Sequence, residues 1–312
     1  MNCYLIRAVG IVSVFLACCY PQTTVAQIDP SGLSVQAIGY WSMNDKESYA
    51  ISHTKYRVNG NDTTSTSKTS YTVDISIKDS TEKSYLIEWY YRDLTNDSDN
   101  ELAKKIMSVA ENVSVMIRTD EFGAIQEVTN WEEVRDRTKK GLDLLKAEVA
   151  KYPGLEDLFD NVWNLYQSKE SVEANAIKDA QQFYTFHGGA YTLGEEAKGT
   201  VQLTNQFGKK PFDAELMVQL TEIDTVDQDY VIRMSQSVDS KQLTDATYNY
   251  LKELAGQAAK LPKRKEFPPL LNETRTASRI HGPSGWVIYS METKSVSSEG
   301  ITQIEERIIE LL

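Results

Sequence analysis

"YTVDISIKDSTEKSYLIEWYYR", residues 71–92, decides the fold. Tyr71, Val73, Ile75 and Ile77 fall on one side of a two-residue period, with Thr72, Asp74, Ser76 and Lys78 on the other. Successive strand side chains point to opposite faces, so this is a half-buried strand. Turn-forming residues fill 79–82. Tyr85, Ile87, Trp89 and Tyr91 then resume the alternation against Leu86, Glu88, Tyr90 and Arg92. The stretch is an antiparallel hairpin with one apolar face, and such a face has to be covered by another layer.

Working outward, the same period begins at Tyr49, before the polar run NGNDTTSTS (59–67), which reads as a loop longer than a tight turn. Residues 96–112 carry Leu102, Ile106, Val109 and Ala110 at helical spacing. Two strands at 113–119 and 124–129 follow, joined by DEFG (120–123). Asp120 can accept from its own turn backbone and Gly123 can take positive φ, which makes this a hairpin turn. The further oxygen ligands of a calcium loop are missing. Asn130 and Glu133 stand as a capping box before a helix that PG (153–154) ends. A second helix surrounds Phe159, and a third is expected over 171–186. Strands return at 198–207, 212–220 and 230–234. Asp239 with Gln242 then opens a helix striped by Leu243, Tyr250 and Leu254. A hairpin turns over GPSG (282–285). Residues 301–312 fit either period and are read as a strand.

The expected class is α+β: antiparallel curved sheets, each packed by helices. The units are a leader (1–26), a tether (27–48), a first β-rich unit (49–130), a helical connecting block (131–189) and a second β-rich unit (190–312). Three strands, a helix and a hairpin occur in both β-rich units, which suggests an internal duplication; generic hairpin grammar is the alternative source. Trp89, Tyr91, Met217, Met234 and Trp286 are the bulky candidates for lining an apolar ligand groove. Strict alternation places Met217 opposite Leu216 and Val218, so its assignment is the weakest of the five.

The N-terminus, MNCYLIRAVGIVSVFLACCYPQTTVAQ (1–27), has a basic residue, a short apolar run and a small-residue site, the form of a secretory signal peptide cleaved after Ala26. A lipobox ending at Cys18 is the rival, but Phe15 and Leu16 fit it poorly. Cys3, Cys18 and Cys19 all lie in the leader, so an exported periplasmic or extracellular chain with no disulfide or thiolate site is expected. No later apolar stretch reaches membrane-spanning length. The chain has 33 Lys+Arg against 45 Asp+Glu, a net charge of −12, which disfavours nucleic acid as a partner.

No catalytic set emerges. His53, His187 and His281 form no metal-binding pair, and HExxH, GxSxG, P-loop and dinucleotide fingerprints are missing. His187 before two glycines reads as a helix-terminal residue beside the negative end of the helix. The basic run KLPKRK (260–265) reads as a solvated connection. No cofactor or metal is expected.

The leader ending Val25-Ala26-Gln27 and the phrase FGAIQEVTNWEEV (122–134) running into a helix resemble a family of uncharacterised secreted proteins of Gram-negative bacteria. The sheet-and-helix plan is similar in architecture to periplasmic lipoprotein carriers. The resemblance implies an apolar groove and an apolar small molecule or envelope protein as partner. A binding or envelope-maintenance role leads on this reading. A hydrolase using carboxylates around Glu88 or Glu222 and a structural scaffold are the alternatives.

Overall fold

A computed structural model describes residues 28–29, 31, 33–97, 104–105, 108–149, 156–164, 166–205, 207, 210–255 and 262–312. The leader (1–26) and residues 98–103 and 106–107 of the helix expected at 96–112 lie outside the described residues. The strands in chain order are β1 (Ser34–Gln36), β2 (Lys46–Asn59), β3 (Asp62–Ser80), β4 (Ser84–Asn96), β5 (Ser114–Asp120), β6 (Ile125–Val128), β7 (Ala190–Thr192), β8 (Glu196–Leu203), β9 (Phe212–Asp224), β10 (Asp229–Val238), β11 (Leu271–His281), β12 (Val287–Ser298) and β13 (Ile301–Leu311). The helices are α1 (Trp131–Val149), α2 (Glu156–Asn164), α3 (Lys169–Asn175), α4 (Lys178–Phe183) and α5 (Ser240–Ala255).

The fold is α+β and mostly antiparallel sheet. The two β-rich stretches do not make separate sheets: they join in one eleven-stranded sheet ordered β6-β5-β4-β3-β2-β13-β12-β11-β10-β9-β8. The joint is β13, which pairs with β12 on one side and β2 on the other, Ile309 standing opposite both Ser290 and Ile51. Residues 301–311 are therefore strand, as expected. Across the sheet, β2–β6 and β8–β12 run in the same spatial order, with β13 between them. Their lengths differ: β3 has 19 residues and β9 has 13.

The polar run at 59–67 is mostly strand. Gly60, at φ 60°, helps to turn the chain within two residues, so that Asn59 pairs with Asp62. Threonine tolerates an extended backbone well, which lets the strand continue through a stretch without apolar residues. The helix expected over 171–186 is two helices, broken at Ile177 (φ −117°, ψ 26°). Ser168 caps α3, its hydroxyl accepting from the Ser171 amide at 3.2 Å. Asp239 caps α5, accepting from Gln242 N at 2.7 Å. The Gln242 side chain does not close a capping box; it bonds Asp213 at the start of β9 instead. Asn130 donates to Glu133 Oε2 in its own helix (3.3 Å), and it also accepts from Met116 N (2.8 Å) and donates to Ser114 O (3.0 Å), which ties α1 to β5.

One face of the sheet carries the core. Tyr49, Ile51, Val73, Ile75, Ile87 and Trp89 are 0–1% exposed and pack beneath α3 and α4. Phe183 of α4 meets Trp89 edge-on at 5.5 Å and Tyr49 at 5.2 Å. Burying each such side chain contributes about 1.5–3 kcal/mol. The segment read as a tether also enters this core: Val35, Ala37 and Trp41 are buried, and β1 pairs with β7. Leu142 and Leu145 of α1 form a smaller cluster with Phe159.

Candidate functional site

The packed core does not extend across the whole helix-bearing face. Over β9–β13 no described helix covers the sheet between α4 on one side and α5 on the other, and a groove of about 1000 Å³ opens there. That size stands at the upper end of small-molecule sites, roughly 300–1,000 Å³.

The two walls differ. On the α5 side, Leu203, Phe212, Val238, Leu243 and Leu270 present apolar surface, and half-exposed Phe207 pairs with Tyr250 at the rim, ring centroids 5.3 Å apart. The apolar residues of β9 and the Leu243 stripe of α5 come together because a strand and a helix each concentrate their apolar residues on one face.

On the α4 side the lining is charged and polar. Arg307 Nε lies 3.0 Å from Asp179 Oδ1, and its Nη1 lies 3.3 Å from Glu292 Oε1. All three side chains are nearly buried, at 11%, 9% and 14% exposure. Tyr71 donates its hydroxyl to Asp179 Oδ2 at 2.8 Å, and burial, reinforced by Asp179, pushes its pKa well above the usual phenol value. Lys294 pairs with Glu292 at 3.0 Å and Lys55 with Glu305 at 2.8 Å. Gln182 donates to Ser290 Oγ (2.9 Å) and to the Arg307 carbonyl (3.3 Å). Its Oε1 is buried and meets no partner among the described residues.

The five residues singled out for a groove separate. Met234 lines it. Trp89 and Trp286 are sealed in the core: Trp89 donates to Tyr184 Oη at 3.4 Å, and Trp286 packs on Trp41 at 5.2 Å. Tyr91 packs on Tyr71 beside that core. Met217 points to the opposite face, among Lys198, Glu215 and Ser235, because its neighbours Leu216 and Val218 take the helix-side positions. The charged wall of α4 was not anticipated. Lys178 and Gln182, one helical turn apart, were the available signal, but they meet Ser290 and Arg307 only in the fold.

Glu88 and Glu222 lie on the face opposite the groove. Lys78 Nζ is 2.6 Å from Glu88, which also accepts from Ser114 at 2.6 Å. Partial burial works against the ionised form of Glu88, but Lys78, Ser114 and Ser76 outweigh it and hold the carboxyl below its usual range. A carboxylate so held is a poor proton donor at neutral pH. Glu222 pairs with Arg233 at 3.1 Å. Seven strand spacings separate β4 from β9, roughly 30 Å along the sheet, well beyond the reach of a glycosidase carboxylate pair.

Around DEFG, Asp120 Oδ1 accepts from Phe122 N (3.0 Å) and Ala124 N (2.9 Å), and Gly123 has φ 95°. The stretch is a turn. Above it lies His187, 6% exposed, whose Nε2 is 2.9 Å from the Gly285 carbonyl. A carbonyl only accepts, so the proton is on Nε2, while Nδ1 is left without a partner among the described residues. Burial outweighs the Gly285 contact and pushes the pKa of His187 down to about 4. The residue is structural, but as a neutral ring in the core rather than as a charge complementing a helix end. Among the described residues no cluster of His, Cys, Asp and Glu could hold a metal ion, and no helix is long and apolar enough to cross a membrane.

No protein-family model matches the chain, and no curated protein matches it.

Proposed function

We propose that this is an exported binding protein whose groove between α4 and α5 holds an amphiphile, with the acyl portion against α5 and the polar portion towards α4. The observation that carries the reading is the asymmetry of the groove: an apolar wall facing a charged one across an open channel of about 1000 Å³. Each methylene removed from water contributes about 0.8 kcal/mol, so roughly ten of them against the α5 wall would supply about 8 kcal/mol before the costs of association. The leader read at 1–26 supports an envelope setting, and the one-sided cover of helices over an antiparallel sheet agrees with the likeness to lipoprotein carriers. The matching strand order of β2–β6 and β8–β12 supports descent of the sheet from a duplicated unit.

Mass spectrometry of protein isolated from the producing cell tests the reading. About one acyl-bearing molecule per chain is expected. Ligand-free protein that also shows no saturable binding of an acyl probe would overturn it.

A further inference from the structure

Within the groove, one basic side chain differs from the others. Of the basic residues that line it, Lys294 and Arg307 are each within 3.3 Å of a carboxylate, whereas Lys178 makes no ion pair among the described residues. The nearby carboxylates are already engaged, Glu305 by Lys55 and Glu292 by both Lys294 and Arg307. Although the Lys178 side chain is exposed to the groove, crowding by the walls, and after it Lys294 and Arg307, pushes its ammonium below the usual lysine value. The cation is therefore under repulsion that an incoming anion would relieve.

Four residues along α4, on the same face, is Gln182. Its side chain is 1% exposed and its amide nitrogen is used twice, which leaves the buried Oε1 as an acceptor with no donor. Thr276 repeats the pattern. It is 2% exposed with an unpartnered hydroxyl, and its cross-strand neighbours are the groove residues Met234 and Glu292. A buried polar atom without a partner costs about 1–3 kcal/mol, so a ligand that donates a hydrogen bond here recovers that cost. An ionised carboxylate or phosphodiester has no such proton, but a glycerol hydroxyl does.

From these placements we infer that the α4 side of the groove is the head-group subsite for an anionic lysolipid: its phosphodiester meets Lys178, a glycerol hydroxyl donates to Gln182 Oε1, and its single acyl chain lies along Phe212, Val238 and Leu243. The inference rests on the amphiphile-binding reading above and adds the charge and chemistry of the head.

The test is calorimetric titration of delipidated protein with lysophosphatidylglycerol, monoacylglycerol of the same chain length, which lacks the phosphodiester, and glycerol 3-phosphate, below micellar concentrations. Wild type, Lys178→Met and Lys178→Arg are compared. Wild type is expected to bind lysophosphatidylglycerol at least about fivefold more tightly than monoacylglycerol, as one charge-assisted contact allows. Lys178→Met should bring that ratio close to one by weakening only the anionic ligand, and Lys178→Arg should keep it. Equal affinities in wild type, or a preference that survives Lys178→Met, would overturn the head-group assignment while leaving the groove reading intact. Failure of both lipids to bind would overturn both. Glycerol 3-phosphate binding as tightly as lysophosphatidylglycerol would overturn the amphiphile in favour of a plain phosphate site.

Discussion

Arg307 of β13 and Asp179 of α4 lie 3.0 Å apart, 128 positions distant in sequence, and they mark the border between the sealed core and the groove. On the core side Tyr71 donates to the same carboxylate, and on the groove side Glu292 approaches the same guanidinium. The pair fastens a six-residue helix to the strand that joins the two halves of the sheet.

Arg307→Met should therefore destabilise the protein by about 3–5 kcal/mol, because it leaves Asp179 as a buried charge without its cation and Glu292 with Lys294 alone. Pairing it with Asp179→Leu should cost clearly less than the two single changes added together. Urea unfolding of the four-member cycle checks this; additive single costs would show that the two groups do not interact.

His187 gives a pH dependence with a definite sign. Its pKa in the fold, about 4, lies below the ordinary value of 6.5, so the unfolded chain binds the proton more readily. Stability is fully present above about pH 6.5 and is lost as pH falls towards 4, by on the order of 3 kcal/mol across the window. His187→Asn should flatten the slope of unfolding free energy against pH between 6.5 and 5 by up to about 1.4 kcal/mol per pH unit. An unchanged slope would contradict a neutral buried imidazole.

Gly285→Ala should be disruptive out of proportion to one methyl group. The added Cβ would come within 2.1 Å of the Ile38 carbonyl, a backbone atom, and the residue sits at φ 72°. A loss of about 2 kcal/mol or more in thermal or urea unfolding is expected. Gly60→Ala is the control: it shares positive φ but meets nothing within 4 Å, so it should lose less.

What was legible in the sequence was what a short window can hold. The alternation of Tyr71–Ile77 and of Tyr85–Tyr91, the Asp120–Gly123 turn and the Asp239 cap each depend on neighbours within a few residues, and the structure contains them all. Joining two β-rich units into one sheet was not legible, because it depends on Ile309 facing Ile51 across more than 250 positions. Strict alternation already set Met217 opposite Leu216 and Val218, and the structure keeps it there, so its selection for the groove rested on bulk alone. The groove was seen as an apolar seam but not as a two-sided channel. Its charged wall comes from α4 meeting β12 and β13, and no local spacing encodes that meeting.

The central claim is that an acyl chain lies between α5 and the sheet. Photo-crosslinking with a diazirine-bearing fatty acid, followed by peptide mapping, tests it most directly. Labelling should concentrate on Phe212, Val238 and Leu243 and should be competed away by unlabelled lysolipid. Labelling spread over the opposite face around Met217 and Ser235, or labelling that competitor does not reduce, would contradict the account.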